Sequence, residues 1–316
     1  MTLLSLIAAL IAEQLQPVNA RQWVQAPLAR WAQFLEQRFN DGEERHGTIA
    51  WSLGVAMPAI ASIALYYFLY SILPLLAFIF NVGVLYLTLG FRQVSHYFTD
   101  IHLALRMGEM DRARSLLAQW RGRGTERLNA GEIARLSIEE ALLAAHRNVF
   151  APLFWFAVLP GPSGALIFKL TDFFSQAWGN KKNERVDAEL DKFGRFAARA
   201  FEAINWLPLR VTATAFAVVG DFEDAVYCWR TQAALWRDQA SGILLASGAG
   251  ALGVRLGMPV YESDEISGAI SERPEIGMGA DADVGAMQSL IGLVWRSLVL
   301  YVLVLALIGI AGLFGN

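Results

Sequence analysis

The chain has few cysteines, few charged residues and no excess of basic residues. Its single cysteine, Cys228, excludes an internal disulfide, and no Cys/His cluster has the spacing of a zinc site. Charged residues make up 17% of the 316 residues, whereas soluble domains average roughly 25%. The net charge of −3 argues against nucleic-acid binding. Because 55% of the residues are hydrophobic and the mean hydropathy is +0.38, the composition indicates a membrane protein whose partner is the lipid bilayer.

Long apolar segments predict the architecture. Four segments have the length and composition of membrane spans, at residues 49–70, 73–90, 148–174 and 290–314. The first two are separated by a very short turn before Pro74, so they form an antiparallel hairpin. Polar helical loops at 92–147 and 180–289 connect the other spans. We therefore predict an all-α polytopic helical membrane protein, with one integral-membrane domain over residues 1–316 and cytoplasmic amphipathic helices.

The segment 148–179 is apolar on both sides of a proline- and glycine-rich stretch, Pro160–Gly164. Proline lacks the backbone N–H and glycine is costly inside a helix, so the segment is predicted to be a broken or re-entrant helix. Broken helices at membrane depth are tolerated where protein or a water-filled cavity surrounds them. After the break, Lys169 and Asp172 share one helical face and could pair. This chemistry leaves a packed connector and a functional cavity equally open.

Basic residues predict the orientation. Eight arginines lie between Arg92 and Arg135, which favours a cytoplasmic position for this loop in a bacterial inner membrane. A second basic stretch follows at residues 180–200, after only one apparent span. Either 148–179 re-enters the membrane on the same side, or Val211–Val219 forms a further buried helix. Pro208 predicts a helix break shortly before that segment.

Several motifs, in chain order, resemble those of the CobD/CbiB family of membrane proteins. The resemblance covers nearly the whole chain, and the matching segments are Gly122–Thr125, Ile133–Arg135, Glu139–Glu140, Ala151–Trp155, Gly164–Lys169, Phe193–Gly194, Ala197–Arg199, Trp206–Val211, Ala249–Gly257 and Arg273–Gly277. The family acts in cobalamin biosynthesis, where it joins an aminopropanol (phosphate) arm to a corrinoid carboxylate. The resemblance implies that activity, an ATP-dependent amide formation, with ATP and Mg²⁺ as the cofactors.

The chain departs from this family at five polar positions, four of which are acidic in the family pattern. The aligned residues here are Gly124, Leu143, Ala144, Arg147 and Ser175. Oxygen ligands are what magnesium with a triphosphate requires, so these replacements predict impaired catalysis. The segments Ala141–Leu143 and Trp206–Val211, together with Arg147, also resemble the related AmpE family, which is linked to β-lactamase regulation.

The polar residues that survive within the matching motifs define the predicted site. The expected catalytic residues are Glu139, Lys169 and Asp172, and the expected ligands for phosphate or carboxylate groups are Arg123, Arg210, Arg255 and Arg273. No metal-binding residues are predicted. Two hypotheses stay open. The chain is either a cobinamide-phosphate synthase-like enzyme acting on a corrinoid or phosphate-bearing small molecule, or an AmpE-like non-catalytic sensor. The sensor would act through a membrane-protein partner or as a homo-oligomer.

Overall fold

The computed structural model describes residues 2–15, 24–179, 192–261, 270–271 and 273–314. The described chain is mainly helical and divides into two compact units. Unit 1 contains residues 1–90 and 148–208, and unit 2 contains residues 91–147 and 209–316. Three helical runs are long and apolar enough to cross a bilayer, which confirms the predicted all-α membrane fold. The assignment of the whole chain to one membrane domain stays a prediction.

The helices of the described residues are numbered in chain order. They are α1 (Thr2–Leu15), α2 (Ala26–Phe39), α3 (Glu44–Trp51), α4 (Met57–Ile72), α5 (Pro74–Thr88), α6 (Phe91–Arg106), α7 (Met110–Arg121), α8 (Ala130–Ala145), α9 (Ala151–Val158), α10 (Ser163–Gly179), α11 (Arg195–Val219), α12 (Phe222–Gln232), α13 (Gln239–Leu252) and α14 (Val284–Phe314). The strands are β1 (Val254–Leu256), β2 (Val260–Tyr261), β3 (Ile270–Ser271), β4 (Ile276–Gly277) and β5 (Ala280–Asp281).

The apolar hairpin of unit 1 is formed as expected. A π-helical turn joins α3 to α4, which gives a continuous run of 29 residues with mean hydropathy 1.7, and Leu73 alone separates α4 from α5. Large apolar side chains on both helices are exposed, among them Ile60 (66%) and Phe68 (61%). Exposed apolar surface of this kind faces hydrocarbon in a membrane protein, so these helices have the lipid-facing character that the sequence predicts.

The break in the segment 148–179 is also present. Helix α9 ends at Val158 and α10 begins at Ser163. Between them Gly161 has φ +63°, and a Cβ there would lie 2.7 Å from the ring of Tyr66. Only glycine combines this backbone conformation with so close an approach. The apolar helix before the break begins earlier than predicted, at Ala130, because a π-helical turn at His146–Phe150 joins α8 to α9.

Pro208 does not break its helix, contrary to the prediction. Helix α11 runs from Arg195 to Val219 with the proline inside it. A proline leaves the carbonyl four residues earlier without its helical N–H partner. In unit 1 this carbonyl, on Ile204, accepts a hydrogen bond from the Trp155 indole N–H at 3.2 Å. The tertiary contact therefore offsets part of the cost of the proline. Residues 180–191, predicted as a charged helix, lie outside the described residues.

Unit 2 buries helices that the sequence assigned to polar loops. Helix α8 begins at a capping box, in which the Asn129 side chain and Glu132 each accept the other's backbone N–H. Most of α8 is buried, and so is α13, whose small residues allow close packing. A Cβ on Gly250 would lie 2.5 Å from the Asp224 carbonyl oxygen of α12. The charged residues of α8 lower its hydropathy, which is why the sequence analysis assigns its first half to a polar helical loop and not to a membrane span.

A small sheet follows α13 in unit 2. Its strand order is β4-β1-β5, with β1 antiparallel to β4 and parallel to β5. The register places Arg255 opposite Gly277 on one side and Asp281 on the other. The sheet thus brings the two motif segments Ala249–Gly257 and Arg273–Gly277 into direct backbone contact.

Candidate functional site

A buried charged cluster forms in unit 2 where α8 meets the turn after β1. Arg135 and Glu139 lie one helical turn apart on α8, so their side chains leave the same face. Both are buried, with 9% and 5% of their surfaces exposed. The turn after β1 contributes Gly257 and Met258, and the segment before β4 contributes Arg273.

The carboxylate of Glu139 holds the cluster together. Its Oε1 accepts the backbone N–H of Gly257 at 2.9 Å, and its Oε2 accepts a hydrogen bond from Nη2 of Arg273. A buried carboxylate without such donors would be strongly destabilising. Glu139 therefore satisfies its own charge and, at the same time, ties α8 to both motif segments of the sheet.

The backbone of the turn is constrained. Gly257 has φ +76°, and a Cβ on it would lie 2.0 Å from the carbonyl oxygen of Pro274. The next residue, Met258, has φ +63° although it is not glycine. This conformation costs roughly 1 kcal/mol for an ordinary residue. The sulfur of Met258 lies 3.2 Å from Nη1 of Arg135.

Arg273 has a second contact that orients it. Its guanidinium lies 5.2 Å from the ring centroid of Trp236, within the range of a cation–π interaction. The side chain is only 13% exposed. The ring and the Glu139 carboxylate thus hold this guanidinium from two directions.

Arg255 lies at the edge of the cluster and is already paired. Its Nη2 donates to Asp281 at 2.8 Å, and its Nη1 lies 3.5 Å from Glu275. The side chain is 40% exposed. Two carboxylates neutralise this arginine, which leaves it little positive charge to offer an anion.

The remaining predicted site residues lie elsewhere. Arg123 is exposed in the turn between α7 and α8, within electrostatic range of Glu140. Arg210 lies partly buried on α11, and none of the cluster contacts above involves it. In unit 1, Lys169 donates to Oδ1 of Asn148 at 2.6 Å, and Asp172 accepts from Gln176 at 2.8 Å. Each of these two residues therefore bonds a residue that was not expected. Among the predicted site residues, Glu139 and Arg273 are in direct contact.

Three members of the cluster were not predicted as site residues: Arg135, Trp236 and Met258. The signal for Arg135 was its spacing of four residues before Glu139 on a helix. No local pattern marks Trp236 or Met258, because their partners lie far away along the chain. Met258 contacts a residue 123 positions earlier.

The acids of the cluster do not fit a magnesium site. Glu139 is bound to Arg273 and the Gly257 N–H, and Glu275 and Asp281 are bound to Arg255. In the described part of the chain, no group of three or more His, Cys, Asp or Glu residues could hold a metal ion. The positions at which the family pattern has further acids carry Gly124, Leu143, Arg147 and Ser175, and the Ser175 hydroxyl donates to the carbonyl of Asp172 in its own helix.

Comparison with known proteins gives a consistent result. The family model described as CobD/Cbib protein matches residues 6–294. The chain is 33% identical over 307 residues to the cobalamin biosynthesis protein CobD of Stutzerimonas stutzeri, covering 96% of each chain. It is 38% identical over 207 residues to the protein of that name from Chromobacterium violaceum, covering 66% of this chain and 63% of that one. No solved structure matches the chain.

Proposed function

The chain belongs to the CobD/CbiB family of cobalamin biosynthesis proteins, and from this premise we propose its step and its site. It acts where an aminopropanol (phosphate) arm is joined to a corrinoid carboxylate. The buried charged cluster of unit 2 binds an anionic group of a substrate, and turnover is slower than in relatives that keep all the family acids.

The observation that carries this proposal is the arrangement around Glu139. One carboxylate links three segments that resemble family motifs, on α8, at Gly257 and at Arg273. Arg273 binds it and Arg135 interacts with it electrostatically, and guanidinium groups are the side chains best suited to phosphate and carboxylate groups. The slower turnover follows from Gly124, Leu143 and Arg147, whose side chains contain no oxygen, and from Ser175, which offers a hydroxyl in place of a carboxylate.

The proposed location is the bacterial inner membrane, crossed several times. Support comes from the helical runs Glu44–Ile72, Ala130–Val158 and Val284–Gly309, which are 29, 29 and 26 residues long. The arginine-rich stretch containing α6 and α7 is placed in the cytoplasm because positive charge is retained there. Substrate would then reach the cluster from the cytoplasm.

Complementation tests the proposed step. The chain is expressed in a bacterial strain that lacks its own cobinamide-phosphate synthase, and cobalamin-dependent growth is measured. We expect slow growth, which Glu139→Gln abolishes and Glu109→Gln, an exposed acid on the same unit, leaves unchanged. Gly124→Asp, which returns a family acid to the turn between α7 and α8, is expected to speed growth. Absence of growth despite normal amounts of protein in the membrane would contradict the proposal.

A regulatory role of the AmpE type is the second candidate, and Arg147 favours it. This arginine stands where the CobD/CbiB pattern has an acid, and it lies with Arg121 and Arg123 within electrostatic range of Glu140. A basic group at that position suits partner or ligand binding without turnover. Deleting the gene in its host would then change β-lactamase induction and leave corrinoid synthesis intact, the reverse of the result expected for the first candidate.

A further inference from the structure

Arg135 is a buried cation whose hydrogen bonds are incomplete. It is 9% exposed, and its Nε has no hydrogen-bond partner among the residues that the structure describes. Its Nη1 donates to the thioether of Met258, and sulfur of this kind is only a weak acceptor. Arginine carries five N–H donors in a rigid fork, so a site that uses them this poorly has capacity for a stronger acceptor.

Within the described residues, the acids around Arg135 are already engaged by other groups. Glu139 is the nearest acid, and its two oxygens are already engaged by Gly257 and Arg273. Two other acids influence Arg135 electrostatically, Glu132 and Asp281. Glu132 accepts from the backbone N–H of Asn129, and Asp281 is bound to Arg255. Each of these carboxylates thus has another partner among the described residues, so the buried Arg135 guanidinium has no acid bonded to it there, which is costly unless a stronger acceptor arrives.

Arg273 has the same unfilled capacity on one edge. Its Nη2 binds Glu139, but its Nε is buried without a partner among the described residues. Each of the two guanidiniums therefore has an N–H donor without an acceptor among those residues, and an oxyanion with several oxygens could accept from both.

We propose that Arg135, together with Arg273, is the receptor for a phosphate group. The phosphate displaces the Met258 sulfur from Arg135 and supplies the strong oxygen acceptors that its N–H groups lack among the described residues. Arg255, which two carboxylates neutralise, is not part of this receptor. The inference rests on the proposed function, because it names the anionic group that the cluster binds, and it gives the principal role to a residue outside the predicted set.

Binding of inorganic phosphate to the purified full-length protein in detergent tests the receptor. Thermal unfolding is followed with increasing phosphate and, separately, with chloride at equal ionic strength. A ligand that binds only the folded state raises the melting temperature as its concentration exceeds Kd. We expect phosphate, and not chloride, to do so. Arg135→Gln should weaken phosphate affinity about tenfold or more, since charge-assisted hydrogen bonds are lost. The same change at exposed Arg112 should leave the affinity unaltered.

A second readout separates a receptor from a purely structural arginine. Without phosphate, Arg135→Gln removes a buried guanidinium whose hydrogen bonds are incomplete among the described residues, so we expect the melting temperature to stay the same or rise. A structural arginine would instead lower it when replaced, with or without phosphate. Arg135→Lys, which keeps the charge but loses the planar fork, should retain part of the phosphate effect and remains usable if the glutamine variant does not fold.

The outcomes are decisive in either direction. If phosphate has no more effect than chloride on the wild-type protein, or if Arg135→Gln and Arg112→Gln bind phosphate equally, the receptor is rejected. An aminoalkyl phosphate and metal-free ATP, compared at equal concentration, then show whether the bound group comes from the arm or from a nucleotide. Complementation without a phosphate effect would reject the receptor alone, whereas phosphate binding without complementation would reject the catalytic step alone.

Discussion

Replacing Glu139 by glutamine tests whether one buried carboxylate holds unit 2 together. The amide can still accept from the Gly257 N–H, but Arg273 and Arg135 lose their shared counter-charge. Removing one partner of a buried ion pair costs roughly 3–5 kcal/mol. Because the Glu139 and Arg273 side chains are 7% and 13% exposed, some solvent screening remains, and we expect a loss of about 3 kcal/mol in the free energy of unfolding.

For a unit of this size, a loss of about 3 kcal/mol corresponds to a melting temperature lower by roughly 6–12 °C. Thermal unfolding in detergent measures it. Glu109→Gln removes an exposed acid bound to Arg112, and it should change the free energy of unfolding by less than about 0.5 kcal/mol. The double variant Glu139→Gln/Arg273→Gln should be less destabilised than the two single changes added together, because neither charge is then left alone. Equal effects of Glu139→Gln and Glu109→Gln would refute the reasoning.

Three further predictions concern single residues of unit 2. Gly257→Ala should abolish complementation, because a Cβ at position 257 would clash with the Pro274 carbonyl. It should also lower the melting temperature more than Gly108→Ala, since Gly108 has a positive φ as well but open space around it. Equal effects of the two substitutions would contradict the argument from close approach. Burial lowers the pKa of His102 below its usual value, and the positive charge of Arg106 lowers it further. A hydrogen bond with the backbone of Val284 acts in the opposite direction but is the smaller effect. The unfolded chain therefore takes up the proton more readily, and the free energy of unfolding should fall as the pH drops below about 6.5, a dependence that His102→Gln should reduce in pH-dependent denaturation. Burial, reinforced by Asp224, raises the pKa of the Cys228 thiol, so maleimide labelling should be slow in the folded protein and fast in denaturant; rapid labelling of the native protein would contradict this.

Local signals predicted the features that depend on backbone chemistry alone. Proline and glycine at 160–164 break any helix, and the break is present between Val158 and Ser163. The sequence places a helix start at Asn129 or Ala130, and α8 begins at Ala130 with Asn129 as its N-cap. The short turn before Pro74 required a hairpin, which α4 and α5 form.

Features that depend on distant partners could not be predicted in this way. Pro208 remains inside a helix because Trp155, far away in the chain, supplies a donor to the carbonyl it leaves open. The Glu139–Arg273 pair joins residues 134 positions apart. The strands that align them are only two or three residues long, too short for alternation of polar and apolar residues to reveal. Spacing alone therefore could not place Arg135 in a site.

Metal binding and anion binding depend on different side chains of the family pattern, and this chain has fewer of the first than of the second. An enzyme that binds magnesium with a triphosphate needs carboxylates to hold the metal and cations to hold the phosphates. Where the family pattern has acids, this chain carries Gly124, Leu143, Arg147 and Ser175, whereas Arg135 and Arg273 stand at arginine positions of that pattern. Absence of metal ligands would lower the rate of a metal-dependent step, but it would not remove the capacity of incompletely bonded guanidiniums for an oxyanion. Anion binding and turnover can therefore be separated in this protein. We expect the chain to bind anions as its relatives do and to turn over substrate more slowly than they do.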